Sequence, residues 1–425
     1  MLMTLFINII YLIFIIITLP YYLFRIITRS SYRAGLGQRF GFVPKRTGDK
    51  PTIWLHCASV GEIAATENLI KGLRDKYPNY ELVISTLTPT GQAIVKKKYP
   101  DLLSIFFPID LSWIVKKTLK RIKPALIILM EQEIWPNFLI TAGKVDIPVV
   151  LLNGRITKRS RRWYRLIKWL IKPALDKIRL FSLQTEEYAA RYRSLGIPEQ
   201  KIKVTGNMKY DISVDESEKK GLLKLFQAQE YGEIIIGGST HPPEEEILIW
   251  VYERLKKDYP SLRLILAPRH IERVPEIENH LNARQHKYIK RSQLPADKNI
   301  KDSIVIIDAL GELKRLYTIS ALAFIGGSLV RHGGQNILEP AAAGKPVLFG
   351  PHMYNFQEPA DILLSAGAAW QVKDEHELYE RLKWLLDNLD LAQKAGEAGK
   401  EALKKHQGTT ERNLSLLKDF LQKNL

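Results

Sequence analysis

Residues 53–76 read IWLHCASVGEIAATENLIKGLRDK. The opening run from Ile53 to Ala58 is apolar without alternation, the pattern of a strand buried on both faces. It breaks at Ser59-Val60-Gly61-Glu62, where the glycine lets the backbone tighten. Ile63 to Lys76 then carries a helical pattern. Strand, tight turn and helix make one βα unit, and a chain of such units folds as parallel sheets covered by helices on both faces.

The same alternation repeats to both sides. Short β-branched runs predict strands at Glu81 to Leu87, Leu103 to Phe107, Ala125 to Met130, Pro148 to Asn153, Leu180 to Gln184 and Lys201 to Thr205. A second set follows at Glu233 to Gly237, Arg263 to Ala267, Ile304 to Asp308, Ala321 to Ile325 and Pro346 to Phe349. Between the sets, the polar segment Asp211 to Lys220 reads as a linker. With 425 residues, 46% of them hydrophobic, the chain is too long for one comfortable domain. The expected fold class is therefore α/β, with two Rossmann-like domains at 31–210 and 211–425.

Ahead of both lies a third element, at 1–30. Leu2 to Phe24 carries no charged side chain, and Phe6 to Leu19 is almost wholly Ile, Leu, Phe and Tyr. That length suits a hydrocarbon core of roughly 30 Å, so the segment is a transmembrane or membrane-anchoring helix. No basic region precedes it and no small-x-small cleavage site follows, unlike a secretory signal. The basic flank from Arg25 to Lys50 keeps the downstream domains cytoplasmic. Cys57 is the only cysteine, which excludes an intrachain disulfide and permits a reducing compartment.

A formal charge of +18 calls for an anionic partner. The anchor favours a membrane surface over nucleic acid, and no aromatic-basic reading motif is present. Arg155 to Arg179 adds ten basic residues against one acidic. Its Trp163, Leu166, Ile167, Leu170, Ile171 and Ala174 fall on one helical face, opposite Arg161, Arg165, Lys168 and Lys172. Such a helix lies on anionic lipid, grips an acidic acceptor, or packs its stripe into a core.

Open parallel sheets bind ligands outside the carboxyl ends of their strands, so candidate chemistry is sought there. Glu62 follows the first strand, as a general base for an acceptor hydroxyl or as a favourable first-turn charge. Glu131 and Glu133 follow Met130 as a metal pair, as partners of a base and a buried cation, or as ordinary ion-pair members. Lys209, in Thr205-Gly206-Asn207-Met208-Lys209-Tyr210-Asp211, is a cation for a donor phosphate or carboxylate, or a surface lysine.

In the second half, Ser239, Thr240 and His241 follow a Gly-Gly pair and suit a phosphate cradle. Pro268 and Arg269 end another strand, and the arginine can fork onto phosphate. Leu310, Gly311 and Glu312 form a turn whose backbone can read a nucleobase edge. The stretch from Gly326 to Pro340 holds four glycines and opens a helix at about Asn336, which places unpaired N–H groups around an anion site. Glu339 is set to accept from ribose hydroxyls. Gly-x-Gly-x-x-Gly is absent, so a dinucleotide site has no support.

Several motifs appear in one order: Ser-Val-Gly-Glu at 59–62, Met-Glu-x-Glu-x-Trp-Pro-Asn at 130–137, Lys-Tyr-Asp at 209–211, Ser-Thr-His at 239–241 and Pro-Arg-His at 268–270. Gly-Gly-Ser-Leu-Val at 326–330, Gly-Gly-Gln-Asn-Ile-Leu-Glu-Pro at 333–340 and Gly-Pro-His-Met-Tyr-Asn-Phe at 350–356 complete them. Over nearly its whole length the chain resembles the Kdo transferases, the 3-deoxy-D-manno-oct-2-ulosonic acid transferases of lipopolysaccharide synthesis. The resemblance implies a B-type glycosyltransferase with a cleft between its two domains, a CMP-Kdo donor and a lipid A precursor (lipid IVA) as acceptor. It makes Glu62 the general base, and Glu131 and Lys209 stabilisers of the transition state. It assigns Pro268, Arg269, Leu310 to Glu312, and Asn336, Ile337, Leu338 and Glu339 to CMP. Gln335 departs from the family, standing where histidine is usual, and Pro242-Pro243 fill a stretch that is often shorter.

Direct displacement of CMP would invert the anomeric centre. The leaving phosphate's charge would fall on the glycine loop, Arg269 and Lys209, with no metal or other cofactor required. The expected location is the cytoplasmic side of the inner membrane, against its anionic surface. The alternatives are a related transferase taking another nucleotide sugar, and a non-catalytic lipid-binding relative.

Overall fold

Ile53 and Leu55 point to one face of their strand and Trp54 to the other, and all three are fully buried. This is the consequence of a period of two in a strand covered on both sides. The pattern is the expected one. The computed structural model describes residues 2–46, 48–228, 234–295, 299–300 and 302–422. Among these the chain forms two compact units, one up to Asp211 together with the chain from Gln407 onward, the other Ile212–His406.

The first unit holds a seven-stranded sheet: β1 (Thr52–His56), β2 (Glu81–Thr86), β3 (Leu103–Phe106), β4 (Pro124–Met130), β5 (Val149–Gly154), β6 (Ile178–Leu183) and β7 (Ile202–Val204). Their order is β3-β2-β1-β4-β5-β6-β7, and every pairing is parallel. The order reverses between β1 and β4, where His56 pairs with Leu129. That pair opens the crevice in which doubly wound sheets place their ligands.

The second unit repeats the design with β8 (Ile234–Thr240), β9 (Arg263–Pro268), β10 (Tyr288–Lys290), β11 (Ile304–Ile306), β12 (Leu322–Ile325), β13 (Val347–Phe349) and β14 (Ala369–Gln371). The order is β10-β11-β9-β8-β12-β13-β14, again wholly parallel, with the reversal between β8 and β12. Strands β10 and β14 are additions to the sequence reading. Each has three residues and sits at a sheet edge. Of the strand expected from Glu233, that first residue lies outside the described residues.

The last helix, Thr409–Leu421, corrects the expected boundary of the second domain. Its Leu414, Leu417 and Leu421 join Ile53, Leu55 and Ile128 in the core of the first unit. Asp211 fixes its start: Oδ1 accepts from the N–H of Gly408 at 2.7 Å and of Thr409 at 3.3 Å, and Oδ2 accepts from Thr410. The aspartate of Lys-Tyr-Asp is thus a helix cap between segments 197 to 199 residues apart.

At the other end, helix α1 (Leu2–Thr28) is long and apolar enough to cross a membrane. The basic segment expected as one helix is two, Lys158–Leu166 and Lys168–Leu175, divided at Ile167. Only the second buries apolar side chains, namely Ile171, Ala174 and Leu175. Trp163 and Leu166 stay 59% and 71% exposed, so the stripe of the first helix is not core.

Candidate active site

Ser59 caps the helix Val60–Ala65, its Oγ accepting from the Glu62 N–H at 3.3 Å. The Glu62 carboxylate turns back, taking the Ala58 N–H on Oε2 at 2.8 Å and the Ser59 hydroxyl on Oε1 at 3.1 Å. This reciprocal arrangement follows from Ser-x-x-Glu at a helix start. Glu62 is only 7% exposed. Burial pushes its carboxyl up to about 7, the Glu131 and Glu133 charges add to the rise, and the Ala58 and Ser59 hydrogen bonds oppose it. A carboxylate of this kind exchanges a proton near neutrality, as a general base must.

Across the switch point, Glu131 leaves β4 in the left-handed region, at φ 55°, an uncommon conformation for a non-glycine residue. Its carboxylate is buried and holds two cations: Arg155 Nε lies 2.6 Å from Oε2 and Lys209 Nζ 2.8 Å from Oε1. Arg155 comes from just beyond β5, whose Asn153 is also left-handed, at φ 54°. Asn153 Oδ1 accepts from the Met208 N–H at 2.9 Å and so seats the turn that carries Lys209. Glu133 takes other partners. Its Oε2 accepts from the Trp135 indole at 2.8 Å and lies 3.4 Å from His56 Nε2. The two carboxylates are therefore committed to separate partners. Among the described residues no group of three or more His, Cys, Asp or Glu could hold a metal ion.

In the second unit the glycine loop differs from expectation. The N–H groups of Gly327, Ser328 and Leu329 all point at Glu244, at 2.7, 3.0 and 3.0 Å, and the His241 N–H joins them at 2.9 Å. A protein carboxylate fills the nest that was expected to lie open for an anion. Gly326 explains the close fit, since a Cβ there would run into the backbone of Ser239 and Thr240. Thr240 is likewise spent internally, donating to Glu245 Oε1 at 2.8 Å. The following helix begins at Leu338, later than expected.

Beside this core, three histidines gather. His241 stacks on His332, with centroids 4.3 Å apart, and meets His270 edge-on at 5.8 Å. The Gln335 amide lies 3.1 Å from His241 Nε2 and donates to it. Burial holds His241 down to about 4, with His332, His270, Arg269 and Arg273 lowering it further. Neutral at pH 7, the ring accepts from Gln335 within positively charged surroundings suited to a phosphate. A histidine in the place of Gln335 could make the same donation.

The other expected nucleotide contacts divide by exposure. Pro268, Ile337 and Leu338 are buried and offer backbone only. Arg269 is exposed, its own N–H bound to the Thr240 carbonyl at 3.0 Å. Leu310 and Gly311 form an exposed turn, with Gly311 at φ 89°, and Glu312 is braced by Arg291 and Arg315, each at 2.7 Å. Asn336 donates to Glu339 Oε1 at 2.9 Å and accepts the Leu338 N–H at 3.1 Å. Sequence reasoning missed Arg155, Asn153, Glu244 and His332 as site-builders. Only the glutamate run at 244–246 gave a local signal, and three of the four donors to Glu244 lie more than 80 residues away.

Solved structures agree with this architecture. A glycosyltransferase of Rickettsia africae superposes with a TM-score of 0.55 at 16% identity, over 88% of this chain and 99% of its own. Two doubly wound sheets in one chain, each with polar groups at its switch point, are the fold of the B-type glycosyltransferases. Residues 34–212 match the family described as 3-deoxy-D-manno-octulosonic-acid transferase (kdotransferase). The 3-deoxy-D-manno-octulosonic acid transferase of Haemophilus influenzae is 35% identical over 401 residues, 93% of each chain. That of Chlamydophila psittaci is 33% identical over 377 residues, 87% of this chain and 86% of its own. The chain belongs to the family of 3-deoxy-D-manno-octulosonic acid transferases.

Proposed function

We propose that the protein transfers Kdo from CMP-Kdo to a lipid A precursor, lipid IVA, at the cytoplasmic face of the inner membrane, inverting the anomeric centre. The observation that carries this is Glu62, a buried carboxyl raised to about 7 at the switch point of the first sheet, in a chain of this family. An acceptor hydroxyl is far too weak an acid to ionise alone, so its proton passes to Glu62 as the new bond forms. The CMP phosphate leaves from the opposite face of the anomeric carbon, and the configuration inverts.

CMP is taken by the second unit. Arg269 supplies the exposed cation for its phosphate, the Leu310–Gly311 backbone reads the base, and Asn336 and Glu339 meet the ribose. Lys209, steadied by Glu131, offsets negative charge that develops in the transition state, with Arg155 on the same carboxylate. Charge on the leaving group is met by these side chains without a divalent ion. In support, Glu131 already has two cationic partners and Glu133 binds Trp135. The acceptor's phosphates suit the basic segment 158–172 at an anionic membrane surface.

Nucleotide release distinguishes donors. With lipid IVA present, CMP is expected from CMP-Kdo while UDP-sugars stay intact. Release from a UDP-sugar alone would replace the donor.

A further inference from the structure

Helix α1 is apolar almost throughout, yet one stripe of it is polar and satisfied. Asn8 Nδ2 donates to Ser112 Oγ at 2.7 Å, and Asn8 Oδ1 accepts from the Ser112 N–H at 3.0 Å and from Asn137 Nδ2 at 2.9 Å. One turn earlier, Thr4 Oγ1 takes Lys144 Nζ at 3.2 Å. One turn later, Tyr11 hydrogen-bonds the Asp110 carboxylate, which also accepts from the Asn137 N–H at 3.0 Å and the Phe138 N–H at 2.6 Å. Between them Ile7 is 3% exposed and packs into the core of the first unit. Positions 4, 7, 8 and 11 share one helical face. The amino-terminal half of α1 is thus keyed into the domain by side chains of matching chemistry.

We infer that α1 does not cross the bilayer but lies along its cytoplasmic surface, with both helix ends on the side of the catalytic units. The inference rests on the membrane attachment proposed above and replaces a span with an in-plane anchor. Pulling residues 4–11 into lipid would strand Asn8 in hydrocarbon and leave Asn137 and Ser112 without their partner. Without that half, the uncharged run Leu12–Phe24 has 13 residues. At 1.5 Å per residue it reaches about 20 Å, short of a hydrocarbon core of roughly 30 Å.

The face opposite the polar stripe fits a lipid interface. Phe6, Ile9 and Ile13 are 43%, 47% and 53% exposed. Phe6 packs on Trp169, with ring centroids 5.4 Å apart and Trp169 itself 59% exposed, which joins α1 to the basic helices 158–166 and 168–175. Trp113, 51% exposed, adjoins the Ser112 that binds Asn8. Apolar side chains along a helix, tryptophans beside it and Arg162, Arg165 and Lys168 nearby are the composition of a segment seated at the headgroup level of anionic lipid.

Two measurements on the full chain in its native membranes test this. In the first, a short tag with a single cysteine is placed before α1. Native Cys57 is fully buried and its thiol is pushed up by burial, so it stays silent. A membrane-impermeant maleimide is expected to label the tag in inverted vesicles and not in intact spheroplasts. Labelling in spheroplasts overturns the in-plane anchor while leaving membrane attachment in place. In the second, the pair Asn8→Cys and Ser112→Cys is expected to cross-link on mild oxidation in the membrane. An uncross-linked pair in chains that remain membrane-bound and active overturns the docking. Recovery of the untagged chain in the soluble fraction removes the attachment itself.

Discussion

Lys209 Nζ lies 2.8 Å from Glu131 Oε1, while the other oxygen of the same carboxylate holds Arg155 at 2.6 Å. One buried anion thus organises two cations at the carboxyl end of β4. Glu131→Gln keeps an acceptor but leaves two positive charges adjacent. Thermal unfolding is expected to fall by a few degrees, consistent with about 1–3 kcal/mol for a buried group deprived of its partner. Lys209→Met should cost less stability, because Arg155 stays paired, and more turnover. Equal effects on both readouts would make Lys209 a structural lysine.

Glu62→Gln removes the proton acceptor while keeping the shape of the helix start. Loss of a general base is worth about 10²–10⁴-fold in turnover. CMP affinity, measured by calorimetry, should be unchanged, because the nucleotide is assigned to the second unit. Turnover near wild-type would assign Glu62 to capping alone.

The pH dependence carries a sign. Glu62 acts ionised and its carboxyl stands at about 7 rather than its ordinary 4.5, so kcat/KM should fall as pH drops through about 7. For stability the direction is opposite. A folded-state value above the unfolded one favours the native state below the unfolded pKa, and that contribution is lost as pH rises through about 7. Glu62→Gln should therefore melt higher than wild-type at pH 8, by a margin that shrinks towards pH 5. Paired melting curves check it.

Glu244→Ala would leave the N–H groups of His241, Gly327, Ser328 and Leu329 without their acceptor. At about 1–3 kcal/mol for each buried unpaired group, the unit should be strongly destabilised and CMP binding weakened. Arg269→Ala should weaken CMP binding with little change in melting. Tighter nucleotide binding by Glu244→Ala would mean that the glycine loop is itself the phosphate cradle.

Charge reversal at Arg161, Arg162 and Arg165 should raise KM for the lipid acceptor far more than for the donor, since this basic segment is assigned to the acidic acceptor. Equal rises in both constants would contradict that assignment.

Much of this architecture was legible in the chain. Strands buried on both faces are continuous apolar runs, so the interior strands of both sheets, β1 and β8 among them, could be read directly. Switch-point chemistry then drew attention to Glu62, Glu131 and Ser239–His241. What escaped depended on distant partners. Leu414, Leu417 and Leu421 announce a buried stripe, but only tertiary structure shows that it packs on Ile53 and Leu55. Glu244 reads as a helix residue until the loop 83 residues later brings its N–H groups. Asn8 reads as a blemish in an apolar run until Asn137 and Ser112 meet it. Tyr288–Lys290 is half-buried throughout and holds a single aliphatic residue, so no apolar run marks it.

The most direct measurement is of the lipid product. The full chain is incubated in membranes with lipid IVA and CMP-Kdo generated in place, and product masses are read beside a Glu62→Gln control. Kdo transfer predicts lipid species heavier by one or more Kdo units, formed by wild-type and nearly absent with Glu62→Gln. Unmodified lipid after full exposure to CMP-Kdo, with another nucleotide sugar consumed in its place, would contradict it.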